Sequence, residues 1–119
     1  MATKVGIGES TDKDYFKAGV EAAQTALSKI GMKKCDFVFL FATVDYDQEE
    51  LLKGVMSVIG DTPLSGCSGE GIITQSGPKE RMPAVGLMAF SSDEIKFFNF
   101  FAQGLKENSI RAGKEIGEK

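Results

Sequence analysis

The residue types that could do chemistry converge in Pro63-Leu64-Ser65-Gly66-Cys67-Ser68-Gly69-Glu70-Gly71. A short apolar entry gives way to six residues, Gly66 to Gly71, that hold three glycines and one of the chain's two cysteines. Glycine lets backbone bend, or approach a ligand, where a Cβ would clash. Cys67, Ser68 and Glu70 add a thiol, a hydroxyl and a carboxylate. A plain surface turn rarely needs that combination.

The thiol has few ways to become a nucleophile. It would need a lowered pKa from a nearby base or a helix N-terminus. Histidine is absent from all 119 residues, and no lysine lies in the motif. Nucleophile–His dyads, His-based metal sites and His-ligated haem are excluded together. A serine nucleophile elbow, G-x-S-x-G, also fails, because Glu70 stands where the closing glycine belongs. A free cysteine at a strand end more often packs as a small hydrophobe, and Cys35, before an apolar run, reads as structural. Gly6 and Gly8 match the opening of a dinucleotide fingerprint that lacks its third glycine.

Composition narrows the class. The chain is 42% hydrophobic and 26% charged, ordinary globular material of single-domain size. A net charge of -3 with both signs interspersed leaves no footprint for nucleic acid or anionic lipid. Met1-Ala2-Thr3-Lys4 lacks the apolar core of a signal peptide, and no apolar run is long enough to cross a membrane. Two cysteines far apart in sequence fit the reducing cytoplasm better than a disulfide framework.

The elements that must position the motif follow from periodicity. Lys4 to Gly8 reads as a first strand. Thr11 with Asp14 resembles a capping box, and Phe16, Val20, Ala23, Leu27 and Ile30 form one helix face closed by Gly31. Phe37 to Thr43 is an unbroken apolar run suited to a strand covered on both faces. Asp47 with Glu50 caps a second helix whose stripe is Leu51, Leu52, Val55, Met56 and Ile59, closed by Gly60. Leu64 to Cys67 is the third strand. Beyond it, Ile72 to Thr74 is a short strand and Gln75 to Pro83 a loop. Ala84 to Phe90 and Ile95 to Phe101 pair as an antiparallel hairpin across a turn at Ser91 to Glu94, with the phenylalanines as core. Asn108-Ser109 caps a last helix that runs to Lys119. The expected fold is α/β: a βαβαβ parallel start, then an antiparallel hairpin and a terminal helix, in one two-layer or three-layer domain. The helix running into the chain end reads as a sign that this single domain is a fragment of a longer chain.

In open α/β sheets, ligands sit outside the carboxyl ends of parallel strands. Those ends bring together Glu9-Ser10, Thr43-Val44-Asp45 and Gly66-Cys67-Ser68. Helix N-termini there offer N–H donors to an anionic group, and the acidic side chains could hold an ammonium, a pairing that suits a zwitterion. First-turn acids such as Asp14, Asp45, Asp47 and Glu50 also serve as caps.

The motif, with Ala84-Val85-Gly86-Leu87-Met88-Ala89-Phe90 after it, resembles the N-terminal half of a FIST domain. Segments of the type G-C-S/T-x-x-G-E end a strand in that family, and a later strand is similar to V-x-L-x-A. Gly66, Cys67, Ser68 and Gly71 match without a gap, with Ile72 in place of the acidic residue. Matching Gly69-Glu70 to the Gly-Glu pair requires a two-residue deletion. The resemblance runs from about Val5 to Phe101. It implies an intracellular signal-transduction sensory domain that binds small ligands such as amino acids, usually followed by a C-terminal partner domain. Haem-based sensing, known in some members, would here lack any His ligand.

The expected function is therefore sensing of a small polar metabolite at Ser10, Asp45, Gly66, Cys67, Ser68, Gly69 and Glu70, with no cofactor. Binding would act by ordering the segment Gly69 to Pro83. The expected partners are a small molecule and a C-terminal domain or signalling protein, with a homodimer as a further option. A cysteine-dependent enzyme using Cys67, and an interaction module using the aromatic segment, are the alternatives.

Overall fold

The apolar run Phe37–Thr43 becomes an interior strand, β2, but the expected cover on both faces is incomplete. Val38, Leu40 and Ala42 are buried under the helices, while Phe39 and Phe41 on the other face are exposed. The computed structural model describes residues 2–119. The other main-sheet strands are β1 (Thr3–Ser10), β3 (Leu64–Gly69) and β6 (Val85–Ser92), and the sheet order is β1-β6-β2-β3. Strands β2 and β3 are parallel neighbours, whereas β6 lies antiparallel between β1 and β2. The three early strands thus point the same way, as expected, but β6 separates the first from the second.

Helices α1 (Tyr15–Ile30) and α2 (Gln48–Ile59) pack on each other, and α1 packs on β1 and β6. Their apolar faces, with Val38, Leu40, Ala42, Val85, Leu87 and Ala89 of the interior strands, make the core. The expected α1 stripe is only partly the buried one. Ala23, Leu27 and Ile30 are buried as expected, but Ala18, Gly19, Ala22 and Ala26 are buried as well, while Phe16 is 42% exposed. The cause is close approach. A Cβ on Gly6 or Gly8 would overlap the carbonyl oxygens of Ala26 or Ala22. Between the helices, a Cβ on Gly19 would stand 2.9 Å from the Val55 nitrogen, and one on Gly54 3.0 Å from the Phe16 carbonyl carbon. Small residues win the interface because larger ones would hold the backbones apart.

The α1 cap is Asp14, whose carboxylate accepts from the Lys17 N–H, rather than Thr11. Asp47 caps α2 as expected, accepting from the Glu49 and Glu50 N–H groups. Gly31 closes α1 in the left-handed conformation at φ 69°, which only glycine adopts freely.

The sheet's other face carries the hairpin of β4 (Gly71–Thr74) and β5 (Gly77–Glu80), paired antiparallel. Part of the expected Gln75 to Pro83 loop is thus a strand. The expected hairpin of Ala84 to Phe90 with Ile95 to Phe101 does not form; residues 95–101 carry no strand. Instead Phe97 stacks on Phe37 at 5.4 Å and lies 5.5 Å from Phe90, and the Asn99 amide donates to the Leu64 carbonyl at 2.6 Å. Packing by Phe97 replaces a ladder, and the other phenylalanines expected as core, Phe98, Phe100 and Phe101, are exposed. The last helix, α3 (Ser109–Gly117), is capped by Asn108 as expected. No helix among the described residues is long and apolar enough to cross a membrane.

Candidate functional site

Strand β3 is an edge of the main sheet, so alternate peptide groups point away from β2. The Leu64 carbonyl is taken by the Asn99 amide, and a ligand would meet the groups further along the strand. Its register sets Cys67 opposite Phe41, Ser68 opposite Ala42 and Gly69 opposite Thr43. The next residue on the β2 side, Val44, donates its N–H to the Gly69 carbonyl at 3.1 Å, which binds the two strand ends together. A pocket of about 140 Å³ lies where this edge meets the start of α2, lined by Gly66, Cys67, Ser68, Gln48, Leu52 and Leu64 among others. Three predicted residues, Gly66, Cys67 and Ser68, therefore share one pocket.

The others fall around it or away from it. Gly69 ends the same strand, Asp45 follows the Val44 that bonds Gly69, and Glu70 comes next in the chain; Asp45 and Glu70 are exposed. Ser10 is elsewhere: it is buried on β1, and its hydroxyl accepts the Asp12 N–H at 3.1 Å. Three strand spacings, roughly 14 Å, separate its strand from β3. The helix N–H donors offered to an anion are also engaged, at Lys17 by Asp14 and at Glu49 and Glu50 by Asp47. A ligand in this pocket would instead meet β3 backbone groups, the Ser68 hydroxyl and the Gln48 amide, whose nitrogen already donates to the Tyr46 carbonyl at 3.0 Å.

A buried tyrosine joins the loops at this end of the sheet. The Tyr46 hydroxyl donates to the Asp12 carbonyl at 2.8 Å, and its ring meets Tyr15 edge-on at 5.8 Å. Burial, and secondarily the charges of Asp12, Glu21 and Asp45, push its pKa up to about 12. Thr43, fully buried, accepts the Ala84 N–H on its hydroxyl at 3.1 Å, while its own N–H donates to the Ala84 carbonyl at 2.9 Å. These two residues fix the loops after β1 and β2 against β6.

Sequence reading missed a second concave feature. A groove of about 420 Å³ lies between the β4–β5 hairpin and the aromatic face of the main sheet. Glu9 ties the hairpin down, its carboxylate accepting from the hydroxyls of Thr74 and Ser76. Those two bonds, aided by Lys79 and Lys29 against a smaller desolvation penalty, hold the Glu9 carboxyl below its ordinary value of 4.5. Only Glu9's position at a strand end was visible in sequence. Its partners lie more than sixty residues away. No three cysteine, aspartate or glutamate side chains converge to hold a metal ion among the described residues.

The architecture is that of a mixed α/β domain with a small pocket where its edge strand meets α2. The family model of the FIST N domain matches residues 36–119, and the chain belongs to the FIST family, generally signal-transduction sensory domains. The match starts just before β2 and extends through α3, so it reaches further toward the C-terminus than the motif resemblance did. No curated protein matches the chain. Among solved structures, the chain is similar to a point mutant of FtsZ from M. jannaschii, at 18% identity and a TM-score of 0.44, over 77% of this chain and 28% of that one. It is also similar to an FtsZ dimer from M. jannaschii, at 14% identity and a TM-score of 0.42, over 82% of this chain and 33% of that one. The chain spans a third or less of the length of either.

Proposed function

We propose that this domain senses a compact polar metabolite of amino-acid size in the pocket between β3 and α2. The observation that carries the reading is that Gly66, Cys67 and Ser68 line one pocket of about 140 Å³ with Gln48. That volume lies below the roughly 300 Å³ at which drug-sized sites begin, so it selects a small molecule. Outward peptide groups of β3, with Ser68 and Gln48, would hold a carboxylate or hydroxyl. Asp45 and Glu70, exposed beside the strand end, would favour an ammonium. Occupancy would be transmitted through Gly69 and Glu70 into the β4–β5 hairpin, which follows directly in the chain, and from there to a downstream domain or signalling partner.

A thermal-shift screen against the amino acids and related small acids tests this. A ligand at about a hundred times its Kd adds roughly 2.7 kcal/mol, a melting shift of several degrees in a domain of this size. Ser68→Phe, which fills the pocket, is expected to abolish the shift, and Cys67→Ser reports whether the thiol itself takes part. A panel in which no compound raises the melting temperature counts against the reading.

A second reading rests on a different observation. Phe98, Phe101, Leu105 and Ile110 are 67–75% exposed, and β3 is an edge strand of the main sheet. Apolar surface on that scale, beside an unpaired strand, suits an interaction module that pairs with another domain or a second copy. Sedimentation velocity over a concentration series distinguishes it, a concentration-dependent dimer being the supporting result.

A further inference from the structure

We propose that the groove beneath the β4–β5 hairpin is a second binding site, taking a flat, uncharged aromatic molecule. This goes beyond the sensing of a polar metabolite, and it rests on a separate part of the fold.

The lining sets the chemistry. Phe39 and Phe41, 6.2 Å apart with their rings 22° from parallel, give the groove an aromatic side. Ile7 and Met88 form the floor and Ile72 the roof. Thr74 is the one residue lining the groove with a polar side chain, and its hydroxyl is already committed to Glu9. Its methyl and Ile72 lie over Gly86: a Cβ there would stand 3.4 Å from Ile72 Cδ1 and 3.5 Å from Thr74 Cγ2. The groove therefore offers no free side-chain donor or acceptor, and a charged guest would lose its hydration without compensation. At about 420 Å³ it falls within the size range of small-molecule sites, whose walls are mainly apolar and aromatic.

The hairpin that roofs the groove is a separate two-stranded sheet outside the main ladder. It is tied to β1 through Glu9 and packs on β2 and β6, where Gly86, lacking a Cβ, lets Ile72 and Thr74 come close to the sheet.

The probe is N-phenyl-1-naphthylamine, a neutral aromatic that fluoresces strongly when removed from water. Saturable enhancement at one probe per chain is expected. In spectra of the methyl-labelled protein, the probe is expected to shift the methyls of Ile7, Ile72 and Met88 while leaving Ile110 and Ile116 of α3 unmoved. Gly86→Val, which adds carbons inside the groove, is expected to weaken the probe at least about tenfold, as an added methyl does in a filled apolar pocket. Shifts confined to Ile95, Ile110 and Ile116 would place the probe on the exposed C-terminal surface and overturn the proposal. No enhancement would overturn it as well. The methyl map uses the unaltered protein, so it stands even if Gly86→Val fails to fold.

Discussion

The carbonyl oxygen of Ala22 occupies the space into which any side chain on Gly8 would project. Helix α1 sits directly on the backbone of β1, and a Cβ on Gly8 would also stand 2.8 Å from the Ala26 nitrogen. Neither atom is the free end of a flexible side chain, so the helix itself must move. Gly8→Ala is expected to destabilise the domain by about 3 kcal/mol, the upper range for overpacking a core. Urea denaturation measures it, and Val5→Ala, at an exposed position on the same strand, is expected to change stability far less.

That contact also shows what periodicity could and could not reveal. Hydropathy marked Phe16 and Val20 as the inner face of α1 because they are large, but the interface selected residues that are small. The segment 95–101 misled for a related reason. Four phenylalanines in seven residues have the composition of a strand, yet the segment forms no ladder, and Phe97 packs its ring against Phe37 and Phe90. The placement of β6 between β1 and β2 depends on pairings across more than forty residues, which no local pattern encodes. By contrast, the caps at Asp47 and Asn108, the glycines closing α1 and α2, and the β2 run are local, and they were legible. Within the site, Gly66, Cys67 and Ser68 could be read from one motif, while Gln48 and Leu52 enter the pocket only because α2 begins beside the edge strand.

Tyr46 gives the domain an alkaline transition. Its folded pKa, about 12, lies above the ordinary 10, so its contribution is fully present below pH 10 and is lost as pH rises toward 12. Tyr46→Phe removes the hydrogen bond to Asp12 and is expected to lower stability by about 1 kcal/mol at neutral pH. Melting temperatures of the two proteins are expected to converge between pH 10 and 12.

Glu9 behaves in the opposite sense. Its carboxyl is held below 4.5, so the hairpin attachment is complete above that pH and weakens as pH falls through the lowered value. Hydrogen exchange at Ile72 and Lys79, partners in the β4–β5 ladder, is expected to accelerate in Glu9→Ala at neutral pH, with β2 amides unaffected. Equal protection in both proteins would show that the hairpin is held by other contacts.

The two thiols should separate cleanly. Cys67 is exposed, whereas Cys35 is half-buried and its thiol pKa is raised, chiefly by burial and then by the neighbouring Asp36. Iodoacetamide at neutral pH is expected to label Cys67 several times faster than Cys35, read by peptide mass mapping. Faster labelling of Cys35 would contradict the placement of both.

The central claim is that a small polar ligand occupies the strand-end pocket. Amide spectra of the isotopically labelled domain, titrated with the best amino-acid-type hit from the thermal screen, test it most directly. Shifts are expected to cluster at Gly66, Cys67, Ser68, Gly69 and Gln48 and to spread into the hairpin through Glu70 and Gly71. Saturable shifts that leave Gly66 to Gly69 unmoved, or that fall only on α3 and the aromatic segment before it, would contradict it.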